Sequence, residues 1–361
     1  EAMSNHASGQ LTAAQAERPF FVGIDIGGTN IKYGLVDSRG RIIANDSIAT
    51  ETELGPESAC QRIGDAVRRM MASQSLTLAD VTAIGLGSPG TMDIPKGMLL
   101  EPPNLKGWWH FPIRDRVRAA CDNIPVSFAN DANAAAYGEF WVGTGRVHHS
   151  IVLLTLGTGV GGGIIIGDLS IDGENSHGSE CGHIIIDFHP TARICSCGQG
   201  GHLEAYASAV ALVKRTEERL ATGAESILRD WIAAGKSLTP RLIAEAADET
   251  VNDALALELV LETAMYLGVG ITSLMHTIDP GAVILGGAMT FGGAESSLGC
   301  LFLERIREEV RRRSFPVLAR RTTIEFASLG GDAGFVGAAG IARTHFLNPP
   351  SSASTASAPS G

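Results

Sequence analysis

A short apolar strand, Phe20–Ile26, runs into Gly27-Gly28-Thr29-Asn30 and returns at once as a second strand, Ile31–Val36. Roughly one domain later the chain repeats the device. Ser150–Leu156 reads as a strand, Gly157–Gly163 as a glycine-rich turn, and Ile164–Ile166 as the returning strand. The repetition predicts two related halves, each begun by hairpin-linked strands. Neither turn closes on Gly-Lys-Ser/Thr, and neither runs into a helix. The P-loop and the dinucleotide-binding βαβ are both excluded on those grounds.

Between and after the two hairpins, strand and helix patterns alternate. Strands are predicted at 41–48, 81–87, 126–129, 282–285 and 323–327. Helices are predicted at 58–72, 113–120, 131–141, 207–221, 240–247, 254–276, 298–312 and 333–344. Such a pattern is a mixed-sheet α/β protein of two domains. The smaller is expected over 19–130 with the last helix, 333–346, and the larger over 131–332. Residues 1–18 and 347–361 are expected to be disordered tails, the second being rich in Ser, Ala and Pro.

The formal net charge of −11 argues against nucleic acid as a partner. Six cysteines in 361 residues do not form a disulfide framework and suit a reducing compartment. Residues 1–18 lack a basic start and a long apolar stretch, so no leader is expected there. The most apolar helix, Leu255–Met275, keeps Glu258 and Glu262 and is expected in the core, not in a membrane.

Three kinds of segment carry candidate chemistry. Both glycine turns can aim backbone N–H groups at an anion; each can also be an ordinary hairpin. Asp25, at the end of the first strand, is placed to act on a metal-bound phosphate. Asn130-Asp131 opens a helix directly after a strand. An N-cap explains the pair, and so does a carboxylate that takes a proton from a hydroxyl. The third segment, 181–204, contains His183, Cys195, Cys197 and His202. Two thiolates and two imidazoles suit a tetrahedral zinc shell. Free thiols with surface histidines are the alternative. Cys181 competes as a ligand but is disfavoured by its place two residues before His183. Glu180 and Glu204 bracket the segment and can bind hydroxyls.

Together these pieces resemble the ROK family, named for repressors, open reading frames and kinases. The matching motifs are DIGGTNIKYGLVD (25–37), GLGSPGTMD (85–93), PNLKGWW (103–109), ANDANAAAYGEFWVGTGR (129–146), TLGTGVGGGII (155–165), GSECGH (178–183), CSCGQGGHLE (195–204) and DPGAVILGG (279–287). They span 20–344 in family order and look most like the glucokinase members.

The resemblance implies an actin-like (ribonuclease H-like) two-domain sugar kinase fold with a ligand cleft between domains. It implies ATP-dependent phosphorylation of a hexose at its 6-hydroxyl, glucose first, with Asp131 as the catalytic base. Gly90, Asn104, Asn130, Asp131, Glu180, His183 and Glu204 would contact the sugar. Asp25, Gly27, Gly28, Thr29, Asn30, Lys32, Gly157, Thr158, Gly159 and Gly161 would face the phosphates of ATP and Mg²⁺, with Gly287 near the nucleoside. Zn²⁺ would be structural. A cytoplasmic glycolytic enzyme, a homodimer or homotetramer, is the implied setting. Fructose, mannose or N-acylhexosamine kinases and a non-catalytic sugar sensor are the alternatives. One departure concerns the metal: the family usually has a third cysteine where this chain has His202. Repressors of the family carry a helix-turn-helix, for which the segment before Phe20 is too short.

Overall fold

β1 (Phe20–Ile26) is buried on both faces, as a central strand must be. In the computed structural model, which describes residues 11–347, β1 lies in the middle of a five-stranded sheet. It pairs antiparallel with β2 (Asn30–Val36), and β2 pairs antiparallel with β3 (Ile42–Ala49). On its other side β4 (Val81–Ser88) runs parallel to β1, while the small hairpin of β5 (Met92–Asp93) and β6 (Met98–Leu99) stands apart. β7 (Val126–Asn130) runs parallel to β4 and ends the sheet. α1 (Gly55–Ser73) and α2 (Ile113–Ala120) cover one face. Ile63, Val67 and Val117 share a core with Val22, Ile24, Leu86 and Phe128. α3 (Asp131–Trp141) follows β7 directly.

The second sheet has the same logic. β8 (Ser150–Leu156) pairs antiparallel with β9 (Val160–Ile166), which pairs with β10 (Leu169–Ser170). β11 (Ala282–Gly286) runs parallel to β8, and β12 (Thr323–Phe326) parallel to β11. Seven helices belong to this half among the described residues: α4 (Glu204–Ala207), α5 (Ala209–Ala221), α6 (Ile227–Ala233), α7 (Pro240–Ala247), α8 (Ala254–Ile278), α9 (Ser297–Arg313) and α10 (Pro316–Arg321). α8 is long and apolar enough to cross a membrane by composition. Its Leu259, Leu267, Ile271 and Met275 are buried in the core of this half, and Glu258 pairs with Arg219 at 2.8 Å.

The chain divides into two units, one holding residues up to Ala134 and from Gly334 onward, the other Ala135–Ala333. Residues 11–18 are held in place: Glu17 N–H donates to Asp37, and Arg18 pairs with Asp80 at 2.8 Å. An ordered segment therefore replaces that part of the expected tail. The remainder, residues 1–10 and 348–361, lies outside the described residues. The predicted helix 207–221 is broken at Ser208. Its backbone is extended and its hydroxyl accepts from Ala211 N–H, capping α5. The glycine run also differs from its reading as one long turn. Only 157–159 form the turn, and Gly161–Gly163 lie within β9, opposite Leu153–Thr155.

α11 (Ala333–Leu347) covers the other face of the first sheet through a row of glycines. Gly34, Gly23 and Gly85 sit opposite one another on β2, β1 and β4. A Cβ on Gly23 would lie 1.7 Å from the Phe335 carbonyl oxygen. On Gly34 it would lie 2.3 Å from the Phe335 ring, and on Gly85 1.8 Å from the Ala338 carbonyl oxygen. The helix thus rests on bare backbone across three strands. Gly23→Ala should cost about 1–3 kcal/mol or more, because helix backbone must shift to admit the methyl. Urea unfolding of Gly23→Ala against Gly157→Ala, whose methyl would meet open space, measures it. The first should lower the midpoint and the second leave it unchanged.

Candidate active site and metal centre

The carboxyl ends of β1, β4 and β7 gather the first set of groups. Asp25 is the sixth residue of β1 and faces Gly87 of β4 and Lys32 of β2 in register. Asp131 opens α3 just past the end of β7. A Cβ on Gly87 would stand 3.7 Å from both the Asp25 Oδ1 and the Asp131 Cα, so glycine there leaves room between them. The first turn of α11 closes on Asp25 from the other side, where a Cβ on Gly334 would lie 2.2 Å from Oδ2. This enclosure pushes the Asp25 carboxyl up to about 7; the negative Asp131 adds to the rise and Lys32 opposes it.

Asn130 does what an N-cap does: its Oδ1 accepts from Ala132 N–H at 2.9 Å and Asn133 N–H at 3.3 Å. Its amide nitrogen is not needed for that task. The Gly27–Asn30 turn is closed by Gly27 N–H to the Asn30 carbonyl at 2.9 Å. It is braced by Thr50, which the sequence reading passed over. Thr50 Oγ1 donates to the Gly27 carbonyl at 2.7 Å, and its N–H donates to the Thr29 carbonyl at 2.8 Å. Gly28, Thr29 and Asn30 remain exposed. Asn104 lies against this turn, its carbonyl 3.2 Å from where a Gly28 Cβ would be. Gly90, with φ +88°, fits beneath Pro102 and so seats the loop carrying Asn104.

The second unit carries the other set. Its glycine turn is tied to α5 by Ala209 N–H donating to the Gly157 carbonyl at 2.9 Å. Thr158 is exposed at its tip and borders an open depression of about 570 Å³ with Ala209, Val210, Val213, Lys214, Glu217 and Pro240. That depression was not foreseen from the sequence. Gly159 and Gly162 have packing reasons for lacking a side chain. A Cβ on Gly159 would meet Glu204 Oε2 at 2.3 Å, and one on Gly162 would meet Cys181 Sγ at 2.4 Å. Gly161 lies in β9 opposite Thr155, not in the turn. Gly287, with φ +90°, sits on the backbone of Leu156, the last residue before the turn.

Glu204 joins two of these features. Its Oε2 accepts from Val160 N–H at 3.0 Å, and its Oε1 accepts from Ser196 Oγ at 2.6 Å. The carboxylate thus links the cysteine segment to the strand leaving the glycine turn. Ser196, between the two cysteines, carried no signal beyond its position.

His183, Cys195, Cys197 and His202 come together, with one ligand atom from each within 4.8 Å of all the others. The two Nδ1 atoms are 3.3 Å apart, Cys195 Sγ is 3.7 Å from His183 Nδ1, and Cys197 Sγ is 3.3 Å from His202 Nδ1. A tetrahedral zinc shell has edges of about 3.3 Å between nitrogens and about 3.5 Å between nitrogen and sulfur, from the usual bond lengths. The donor set and its spacing therefore fit zinc. His183 turns Nδ1 to the cluster, so Nε2 faces away, 3.9 Å from Glu180 Oε2. Cys181 stands outside the cluster; burial, with the charge of Glu180, pushes its thiol up to about 12. The segment has a second support. Tyr206 Oη donates to Asp187 at 2.6 Å and accepts from Arg193 N–H at 2.8 Å.

Comparison with known proteins settles the lineage. The ROK family model matches residues 21–345. The chain belongs to the ROK family. It is 34% identical over 319 residues to a glucokinase of Halalkalibacterium halodurans, covering 88% of this chain and 93% of that one. It is 30% identical over 329 residues to a xylose repressor of Caldicellulosiruptor bescii, covering 91% and 79%. A ROK family glucokinase from Streptomyces griseus, solved with glucose and AMPPNP, superposes with a TM-score of 0.69 at 36% identity, covering 90% and 99%. The paired sheets are thus the actin-like, two-domain sugar kinase fold of this ROK chain.

The raised value of Asp25 has a stability consequence in protein free of nucleotide and metal. Below about pH 4 the carboxyl is protonated folded or unfolded. Between about 4 and 7 only the unfolded chain ionises, so the folded state loses stability as pH rises. Asp25→Asn removes that loss. The melting temperature of the variant relative to the parent should therefore be higher at pH 8 than at pH 4.5, as thermal denaturation would measure.

Proposed function

We propose that this chain transfers the γ-phosphoryl group of ATP to the 6-hydroxyl of a hexose, with glucose as the acceptor. The observation that carries the reading is the placement of Asp131 at the head of α3 beside the enclosed Asp25, at the carboxyl ends of β1 and β7. Asp131 accepts the proton of the 6-hydroxyl as that oxygen forms its bond to phosphorus. The bond from the γ-phosphorus to the bridging oxygen breaks, and ADP leaves with the electron pair. Most of the rate enhancement would come from positioning and charge neutralisation.

The Gly27–Asn30 turn, with Lys32, and the Gly157–Gly159 turn would hold the phosphates through exposed N–H groups and threonine hydroxyls. Asp25 would hold magnesium brought with the nucleotide, and the ion would supply neutralising charge there. The apolar depression beside Thr158 suits the nucleoside, an addition to the position at Gly287. Asn104, the free amide of Asn130, Glu180, His183 Nε2 and Glu204 would bind sugar hydroxyls. Gly90 contributes by seating Asn104. Zinc on His183, Cys195, Cys197 and His202 would be structural, since four protein ligands fill a tetrahedral shell. A cytoplasmic homodimer or homotetramer completes the proposal.

The repressor relative gives a second reading some ground: a sugar sensor without turnover. Retention of Asp131, Asp25 and both glycine turns favours the kinase. Coupled ADP release over a panel of glucose, fructose, mannose and N-acylhexosamines separates the two, with glucose expected to give the highest kcat/KM. Sugar binding without ADP release from any hexose would support the sensor. Asp131→Asn should lose about 10²–10⁴-fold in kcat while still binding glucose by calorimetry. Elemental analysis should find about one zinc per chain, falling in Cys195→Ser; metal-free, fully active protein would refute the zinc assignment.

A further inference from the structure

Glu139 is fully buried near the end of α3 and is surrounded by donors. Its Oε1 accepts from Ser328 N–H at 3.0 Å and Leu329 N–H at 2.7 Å. Its Oε2 accepts from Thr144 N–H at 2.9 Å and Ser328 Oγ at 3.2 Å. Gly143 admits the carboxylate, since a Cβ there would stand 2.1 Å from Oε2. Thr144 Oγ1 adds a bond to the Phe326 carbonyl at 3.0 Å, tying the same two segments again. One carboxylate thus fastens α3 and the turn after it to the segment leading from β12 into α11.

These are the two elements that frame the proposed chemistry. α3 begins at Asp131, about 12 Å up the helix axis from Glu139. The 328–329 segment leads within a few residues to Gly334, whose backbone packs on Asp25. The sheet sets where Asp25 and Asp131 originate. Its glycine row also sets how deep α11 lies; what it leaves open is the direction of α3 and the path by which the chain enters α11.

We propose that Glu139 is a positioning residue for phosphoryl transfer, fixing the first turns of α3 and α11 around Asp131 and Asp25. The inference rests on the kinase reading above. It assigns to Glu139 no contact with substrate. A carboxylate suits the task because four donors need four acceptor sites, which its two oxygens provide. Four bonds to two segments also hold direction better than one.

Glu139→Gln keeps the shape and exchanges one acceptor for a donor, leaving at least one buried backbone N–H facing N–H. Its kcat per folded molecule should fall about 10- to 100-fold, the scale expected from a displacement near 1 Å. The glucose Kd by calorimetry should stay within about twofold. Ser328→Ala removes only the hydroxyl contact and should lower kcat about two- to tenfold in fully folded protein. Folded Glu139→Gln with parental kcat per folded molecule would overturn the proposal, leaving Glu139 a stability residue. Should that variant fail to fold, parental kcat in Ser328→Ala overturns it equally. Failure of the parent protein to phosphorylate any hexose would instead strike the kinase reading, and the proposal with it.

Discussion

The contact on which the first unit depends is that of α11 with three bare strands. Gly34, Gly23 and Gly85 form a channel across β2, β1 and β4; over Gly23 and Gly85 the backbone of α11 lies closer than a Cβ would allow, and over Gly34 the Phe335 ring does. Close approach brings the start of α11 down onto Asp25, and Gly334 lets it arrive. The same carboxyl is thereby enclosed and its ionisation made costly. Packing and electrostatics at the site are one arrangement: the sheet is thin where the helix must come close, and the helix comes close where the acid needs enclosing.

In the second unit a similar economy joins the glycine turn to the cysteine segment. Gly162 and Gly182 are small because the 179–182 segment lies directly against β9. Glu204 then spans from Ser196 to Val160. The spacing of His183, Cys195, Cys197 and His202, the angle of Glu204 and the strand leaving the glycine turn are therefore parts of one connected cluster. Tyr206, braced by Asp187 and Arg193, anchors its far side.

Much of this was legible in the amino-acid order. The two hairpins, their parallel partners and the helices between them follow from period and punctuation, which are local signals. The gathering of His183, Cys195, Cys197 and His202 follows from spacing and donor type, and the candidacy of Asn130-Asp131 from its place between strand and helix. What was not legible depends on pairing across the chain. Gly23, Gly34 and Gly85 each look like a weak strand residue until the register places them side by side. Gly161–Gly163 read as turn, because the Ser179–Cys181 segment that requires the smallness of Gly162 lies elsewhere in the sequence. Thr50, Ser196 and Glu139 are ordinary residues locally. Only the backbone groups they meet reveal what they do.

The composition of the first unit from both ends of the chain has a consequence for synthesis. Its sheet and one covering face are complete once β7 has been made, but the glycine channel has no occupant until α11 emerges, the last helix described. The intervening unit, continuous from Ala135 to Ala333, can bury its own core on the nascent chain before then. The ribosome thus delivers the acid-bearing sheet first and the helix that encloses its acid last.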